Sequence, residues 1–319
     1  MSDLPTLVFV PGAWHKPLCY SKIIKILEER HGVRCVAITL PSTAGDPEAT
    51  FKDDLDTTRA AISNEITQGR NVIVIAHSYG GLVGNSAIKG FARPKQADPS
   101  ETSPSGYVVG LVLIASGFTL NGLAFMDPFF GIPPPAWRVN KETGFADLVA
   151  DPRQFFYHDV PEDEVEYWVS QLTPHSLKSL FEGGEHTYAG WMDVPAWYIG
   201  TIEDQGLPVV AQRLNVGMAR SMGTTVEHRE LQTSHSPFLS QPEEVVEILM
   251  DAVRSVSKKP TESEQTPEPR SKRIMIPSSR FWKPLTWFKF GLPLLFGHLI
   301  GKGILTFGWC RGLWRSVFR

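Results

Sequence analysis

Short apolar runs alternate with stretches of helical spacing through most of the chain. Thr6–Val10 is a short apolar run closed by Pro11-Gly12, which predicts a buried strand and a turn. Tyr20–Arg30 places Ile23, Ile24, Ile26 and Leu27 at helical spacing, and Gly32 ends it. Val33–Leu40 predicts a second strand, broken by the turn residues Pro41 to Gly45. Phe51–Thr67 has helical spacing and stops at Gly69. Asn71–Ala76, reading NVIVIA, is a continuous apolar strand that leads through His77-Ser78-Tyr79-Gly80-Gly81 into a helix reaching about Lys89. Residues 92–106, with three prolines and several serines, predict a surface insertion, and Tyr107–Ala115 the next strand. The rhythm then pauses. Between Phe118 and Trp191 the pattern becomes helical and aromatic, as a lid over a sheet would be. It resumes with strand Ala196–Gly200, a helix from about Pro208 to Met222, strand Thr225–Leu231 and a last helix from about Pro242 to Val256.

Six strands that are apolar throughout and alternate with helices imply a parallel sheet covered on both faces. Right-handed crossovers then give a doubly wound, mostly parallel α/β fold, with a helical cap inserted at about 118–192. No internal repeat is present. Residues 256–280, rich in Pro, Ser, Glu and Lys without periodicity, predict a disordered linker.

Composition narrows this without changing it. The chain has 319 residues, 42% hydrophobic, 20% charged and 11% aromatic, which excludes wholesale disorder, collagen and a disulfide-rich scaffold. Net charge is −3, but Arg270–Arg319 holds ten basic residues and no acid, while residues 1–269 hold 21 basic against 34 acidic side chains. Body and tail are thus of opposite sign. Cys19, Cys35 and Cys310 form neither a disulfide framework nor a metal-ligand spacing, which points to a reducing compartment. The N-terminus carries Asp3 and no basic region, unlike a signal peptide, so a cytoplasmic protein is expected.

The chemistry gathers on four segments. Ser78 lies between an apolar strand and a helix, where a nucleophile elbow holds a serine on a sharp turn with small residues two before and two after it; Ala76 and Gly80 fill those places. A glycine-softened turn with an incidental serine is the plainer reading, and the strand-turn-helix setting disfavours it. A serine needs a base, and the base an orienting acid, in the chain order serine, acid, histidine. His235 follows the last strand and is the base candidate. Glu203 and Asp204 follow the strand before it and compete as the acid. His158, His175, His186 and His228 fit cap, loop or solvated positions, and Asp53, Asp54 and Asp56 a solvated helix face or an N-terminal cap. An oxyanion needs two backbone donors, for which the N–H of Tyr79 and that of Ala13, in the Gly12-softened loop after the first strand, are placed.

These segments, FVPGAWH, VIAHSYGG, EDQGLPVVAQ and SHSPFLSQPEEV, resemble the α/β-hydrolase fold superfamily over about residues 5–255. They are most similar to the branch of plant methyl esterases, hydroxynitrile lyases and small fungal and bacterial serine hydrolases. In that branch the acid stands four residues before a proline, and the resemblance therefore favours Asp204, four before Pro208. Ala76 replaces the usual first elbow glycine. Ser236 stands where hydroxynitrile lyases carry lysine, which argues against cyanohydrin chemistry, and serine at the elbow argues against dehalogenases and epoxide hydrolases of the fold. The resemblance implies a serine hydrolase of a small apolar ester, lactone or thioester, without metal or cofactor and in the manner of accessory enzymes of secondary metabolism. A lyase-like or C–C-cleaving member and a non-catalytic binding member are the alternatives.

The tail, 281–319, holds four of the nine tryptophans and six of the eighteen phenylalanines, interleaved with basic residues. Its longest uncharged run, Phe290–Gly301, falls short of the roughly twenty residues of a clean span. Peripheral membrane contact is expected, with a true anchor or an unstructured extension as alternatives. Basic-aromatic interleaving also suits nucleic acid, but nothing in the body supports such a partner.

Overall fold

The computed structural model describes residues 4–94, 106–257, 271–278 and 284–317, with side chains as far as 307. Strands β1 (Thr6–Val10), β2 (Cys35–Ala37), β3 (Val72–His77) and β4 (Val108–Ile114) come first, then β5 (Trp137–Asn140) and β6 (Phe145–Leu148), then β7 (Ala196–Thr201) and β8 (Val226–Leu231). Six of them form a sheet in the order β2-β1-β3-β4-β7-β8, and every neighbouring pair is parallel. β1, β3 and β7 are buried at every position, which is why their sequences show no alternation. β2 is shorter than the apolar run predicts. It is an edge strand paired only with β1, and the chain leaves the sheet where Pro41 starts a 3₁₀ turn.

Helix α1 (Ser21–His31) carries the chain from β1 outward to β2, and α2 (Phe51–Thr67) returns it to the other side of β1, at β3. Right-handed crossovers place these two helices on opposite faces. α3 (Gly80–Ala87) packs beside α2. The ends of α1 and α2 are written locally: Gly32 closes α1 at φ 64°, and Thr50 and Asp53 form a reciprocal capping box at the start of α2. Because the winding reverses between β1 and β3, a crevice opens at their carboxyl ends.

Between β4 and β7 lies the cap, with α4 (Pro152–Phe156), α5 (Glu162–Ser170) and α6 (Leu177–Phe181). It is not wholly helical as the sequence predicts. β5 and β6 form an antiparallel hairpin, whose turn is tied by the Asn140 carboxamide oxygen accepting from the N–H groups of Glu142 and Thr143, with Gly144 at φ 75°. The predicted 92–106 insertion lies mostly in 95–105, outside the described residues.

After β7 come α7 (Val209–Ser221), and after β8 α8 (Pro237–Ser240) and α9 (Pro242–Ser257), which packs against α1. Part of the expected linker is ordered. Met275 exchanges two backbone hydrogen bonds with Glu230, at 2.8 and 2.9 Å, and so covers the free edge of β8. Beyond it come α10 (Pro284–Thr286), a π-helical turn at Trp287–Gly291 and α11 (Leu292–Val317), which runs along α7. Glycines make this approach feasible: a Cβ at Gly297 would lie 2.0 Å from the Leu214 carbonyl oxygen, and one at Gly217 2.3 Å from that of Leu294. The buried Arg213 guanidinium pairs with both Glu230 oxygens at 2.7 and 2.8 Å, donates to the Lys289 carbonyl at 2.9 Å and faces the Phe290 ring. The tail is therefore docked on the body. Gly297→Val should lift α11 from α7, read as at least about tenfold faster tryptic cleavage at Lys289 and Lys302; an unchanged rate would contradict this packing.

Candidate active site

Ser78 sits where β3 breaks into α3, at φ 50°, a left-handed backbone rarely taken by a residue with a side chain. The turn is tight because the chain passes directly under the end of β1. A Cβ at Gly80 would lie 2.3 Å from the Pro11 carbonyl oxygen and 2.5 Å from that of Val10. Ala76 suffices two residues earlier, although it already sits close to Gly84. The Ser78 N–H donates to the Ile114 carbonyl at 3.1 Å, and its carbonyl accepts from the Ser116 hydroxyl at 2.7 Å. Its own hydroxyl has no hydrogen-bond partner among the described residues.

Asp204 follows β7 and His235 follows β8, and they meet at this end of the sheet: His235 Nδ1 donates to Asp204 Oδ2 at 2.7 Å. The other donors to Asp204 are the N–H groups of Gly206 and Leu207, both at 2.7 Å, the Thr201 hydroxyl at 2.6 Å and Gln212 Nε2 at 3.2 Å. Burial alone would raise this carboxyl, but His235 and the other donors hold it below the ordinary carboxylate range. Glu203 is exposed and turns instead toward Gln232 and His158. The elbow neighbour His77 donates from Nε2 to the His235 carbonyl at 2.9 Å, with the two rings 4.6 Å apart. Ser78 and His235 are thus joined through a buried, neutral histidine, whose pKa burial drives well below the ordinary value.

The loop after β1 runs beside Ser78, since a Cβ at Gly12 would lie 3.0 Å from the Ser78 Cβ. Neither the Ala13 nor the Tyr79 N–H has a hydrogen-bond acceptor among the described residues. The cap fixes this loop at Trp14, which is itself at φ 61°. Trp14 Nε1 donates to the Ala146 carbonyl at 2.9 Å, the Trp14 carbonyl accepts from the Thr173 N–H at 2.9 Å, and the Trp14 N–H reaches His175 Nδ1 at 3.4 Å. His175 must then carry its proton on Nε2, which donates to the Ser179 hydroxyl at 2.8 Å. Burial keeps it neutral, with its pKa lowered to about 3. His15 next in line donates from Nδ1 to the Ala13 carbonyl at 2.7 Å and accepts from the Tyr157 hydroxyl at 2.9 Å.

Two sequence readings need correction here. His175 lies in the cap as expected, but His228 is buried on β8 rather than in a cap, loop or solvated position. Asp53 is indeed a cap and Asp56 is exposed, but Asp54 is wholly buried. It accepts from the Ser42 N–H at 2.9 Å, the Ser42 hydroxyl at 2.6 Å and the Tyr79 hydroxyl at 2.7 Å. Burial raises its pKa to about 6 against those donors. Asp54 thereby holds Tyr79, the residue whose backbone faces the elbow. A carboxylate on the inner side of α2 was the available signal, three residues after Phe51 and one before Leu55.

The alpha/beta hydrolase family model matches residues 7–248 of the chain. The protein belongs to the alpha/beta hydrolase family. It is 27% identical over 251 residues to the alpha/beta hydrolase nvfD of Aspergillus novofumigatus, covering 78% of this chain and 96% of the relative. Methylesterase 18 of Arabidopsis thaliana is 24% identical over 271 residues, covering 78% and 97%. A crystal structure of a pyrethroid hydrolase from Sphingobium faniae shares the fold, with a TM-score of 0.58, 20% identity and coverage of 79% and 98%. These relatives support a hydrolase of esterase type.

Around the candidate site the cap aromatics close in, with Phe156 5.8 Å from the His235 ring and Phe125 5.4 Å from that of Tyr79. A cleft of about 470 Å³ lies on the outer side of the Trp14 clamp, lined among others by Leu18, Thr43, Thr173 and Pro174 and by none of Ser78, Asp204 or His235. The buried histidines set an acid limit on the fold. His15 is lowered to about 4 and His175 to about 3, and burial lowers His77 and His228 too. Unfolded histidines take protons near pH 6.5 that these refuse, so their contribution is complete above 6.5 and is lost as pH falls below it, through about 4 for His15 and about 3 for His175. Asp54, raised from 3.8 to about 6, acts in the opposite sense, its contribution being lost as pH rises through 6. Four histidines outweigh one carboxyl: urea unfolding should show stability falling by on the order of a few kcal/mol from pH 7 to 4.5, and a flat profile would contradict these burials.

Proposed function

We propose that this hydrolase cleaves a small apolar carboxyl ester, lactone or thioester through an acyl-enzyme on Ser78. The observation that carries the reading is the 2.7 Å His235–Asp204 hydrogen bond beside a serine held at φ 50° with an uncommitted hydroxyl. Ser78 Oγ attacks the carbonyl carbon while His235 Nε2 takes its proton. Asp204 keeps the imidazole in the tautomer that can accept, and stabilises the imidazolium that forms. The N–H groups of Ala13 and Tyr79 receive the developing oxyanion, each such donor being worth about 3 kcal/mol in acyl transfer. His235 then returns the proton to the departing alcohol or thiol, and water activated by the same nitrogen releases the acid. The aromatic rings bordering the site favour an apolar acyl or alcohol group over a charged one.

The test is turnover of short-chain p-nitrophenyl esters. Ser78→Ala and His235→Ala should each lower kcat by at least about 10³-fold with the fold retained, and Asp204→Asn by a comparable factor, while Glu203→Gln stays near wild type. Near-wild-type activity in Ser78→Ala would overturn the mechanism. A Glu203→Gln defect larger than that of Asp204→Asn would reassign the acid.

A further inference from the structure

Helix α11 is packed on one side only. Its buried positions among the described residues, Pro293, Gly297 and Gly301, recur every fourth residue, and Gly297 and Gly301 lie against α7. The other side is apolar as well. Leu295, Phe296, Leu299, Ile300 and Phe307 are 46%, 56%, 57%, 44% and 70% exposed, and Phe288, just before the helix, is 64% exposed. In the most apolar 18-residue window of Pro284–Phe307 the mean hydropathy is 1.4, yet only 17% of that window is buried. A helix docked on a water-soluble body turns its polar side outward. This one presents leucine and phenylalanine to whatever surrounds it, in a continuous stripe large enough to mark an interaction surface.

Charge says what that surface meets. The segment from Arg270 onward carries ten basic residues and no acid, whereas residues 1–269 carry an excess of acids. Lys289 and Lys302 are exposed and flank the apolar stripe. A two-fold pairing of this helix with a second copy would set two such basic segments against each other. An anionic lipid surface instead offers acyl chains to the stripe and negative headgroups to the lysines. The helix is long enough to span a bilayer, but it lies along α7, whose Arg213, Asn215 and Arg220 would have to follow it into hydrocarbon. We propose that the outward face of α11 lies flat in the interface of an anionic bilayer and holds the hydrolase body at the membrane surface. The proposal does not depend on Ser78 chemistry.

The test is sedimentation of the full-length protein with phosphatidylcholine vesicles, with and without about one-third phosphatidylserine. The protein should pellet with the mixed vesicles, at least about tenfold less with phosphatidylcholine alone or in ~0.5 M salt, and should be released by a sodium carbonate wash. Leu295→Glu combined with Leu299→Glu, both at exposed positions, should abolish binding while circular dichroism and elution volume stay unchanged. Lys289→Gln combined with Lys302→Gln should erase the preference for phosphatidylserine. Binding that survives the paired glutamates, equal binding to neutral vesicles, or resistance to carbonate would overturn the proposal. So would an oligomer, without vesicle binding, that the paired glutamates convert to monomer.

Discussion

The close approach of the Gly80 backbone to the carbonyl ends of β1 governs the site. With Val10 and Pro11 oxygens at 2.5 and 2.3 Å from where a Cβ would stand, residue 80 must be glycine. That contact forces the chain to leave β3 through a single left-handed residue, Ser78. It also draws the loop after β1, which carries Ala13, alongside the serine. The reversal of winding between β1 and β3 is what brings the two strand ends together in the first place. Sheet topology and site geometry are therefore one constraint.

The cap acts on this arrangement through hydrogen bonds as well as by covering it. Ala146, Thr173 and His175 grip three groups of Trp14, and that grip holds a tryptophan at φ 61°. It works only with a His175 that complete burial keeps neutral and that its partners, the Trp14 N–H and the Ser179 hydroxyl, leave protonated on Nε2. Asp54 does the corresponding work on the other donor, through Tyr79 and Ser42. Both oxyanion candidates are thus anchored by buried polar groups, which cost stability unless every partner is present.

Much of this was legible in the sequence because it is local. Unbroken apolar runs gave the central strands, and the order of Ser78, Asp204 and His235 behind three strands of the sheet marked them as candidates that the fold brings to one end of it. What escaped was tertiary. Asp53, Asp54 and Asp56 look alike within one turn of α2, and only Tyr79, twenty-five residues on, distinguishes the buried one. The β5–β6 hairpin has four-residue strands, too short for alternation to stand out among aromatics. The docking of α11 depends on Gly297 and Gly301 meeting Leu214, Met218 and Ser221 some eighty residues earlier. Glycines four apart were visible in the tail, but their partner surface was not.

The central claim is that this fold activates the Ser78 hydroxyl. Reaction with a fluorophosphonate, followed by peptide mass analysis, tests it without knowledge of the natural substrate. A single adduct on Ser78, absent from Ser78→Ala and strongly slowed in His235→Ala, is the result the account requires. A folded protein that stays unlabelled, or an adduct on another residue that persists in Ser78→Ala, would contradict it.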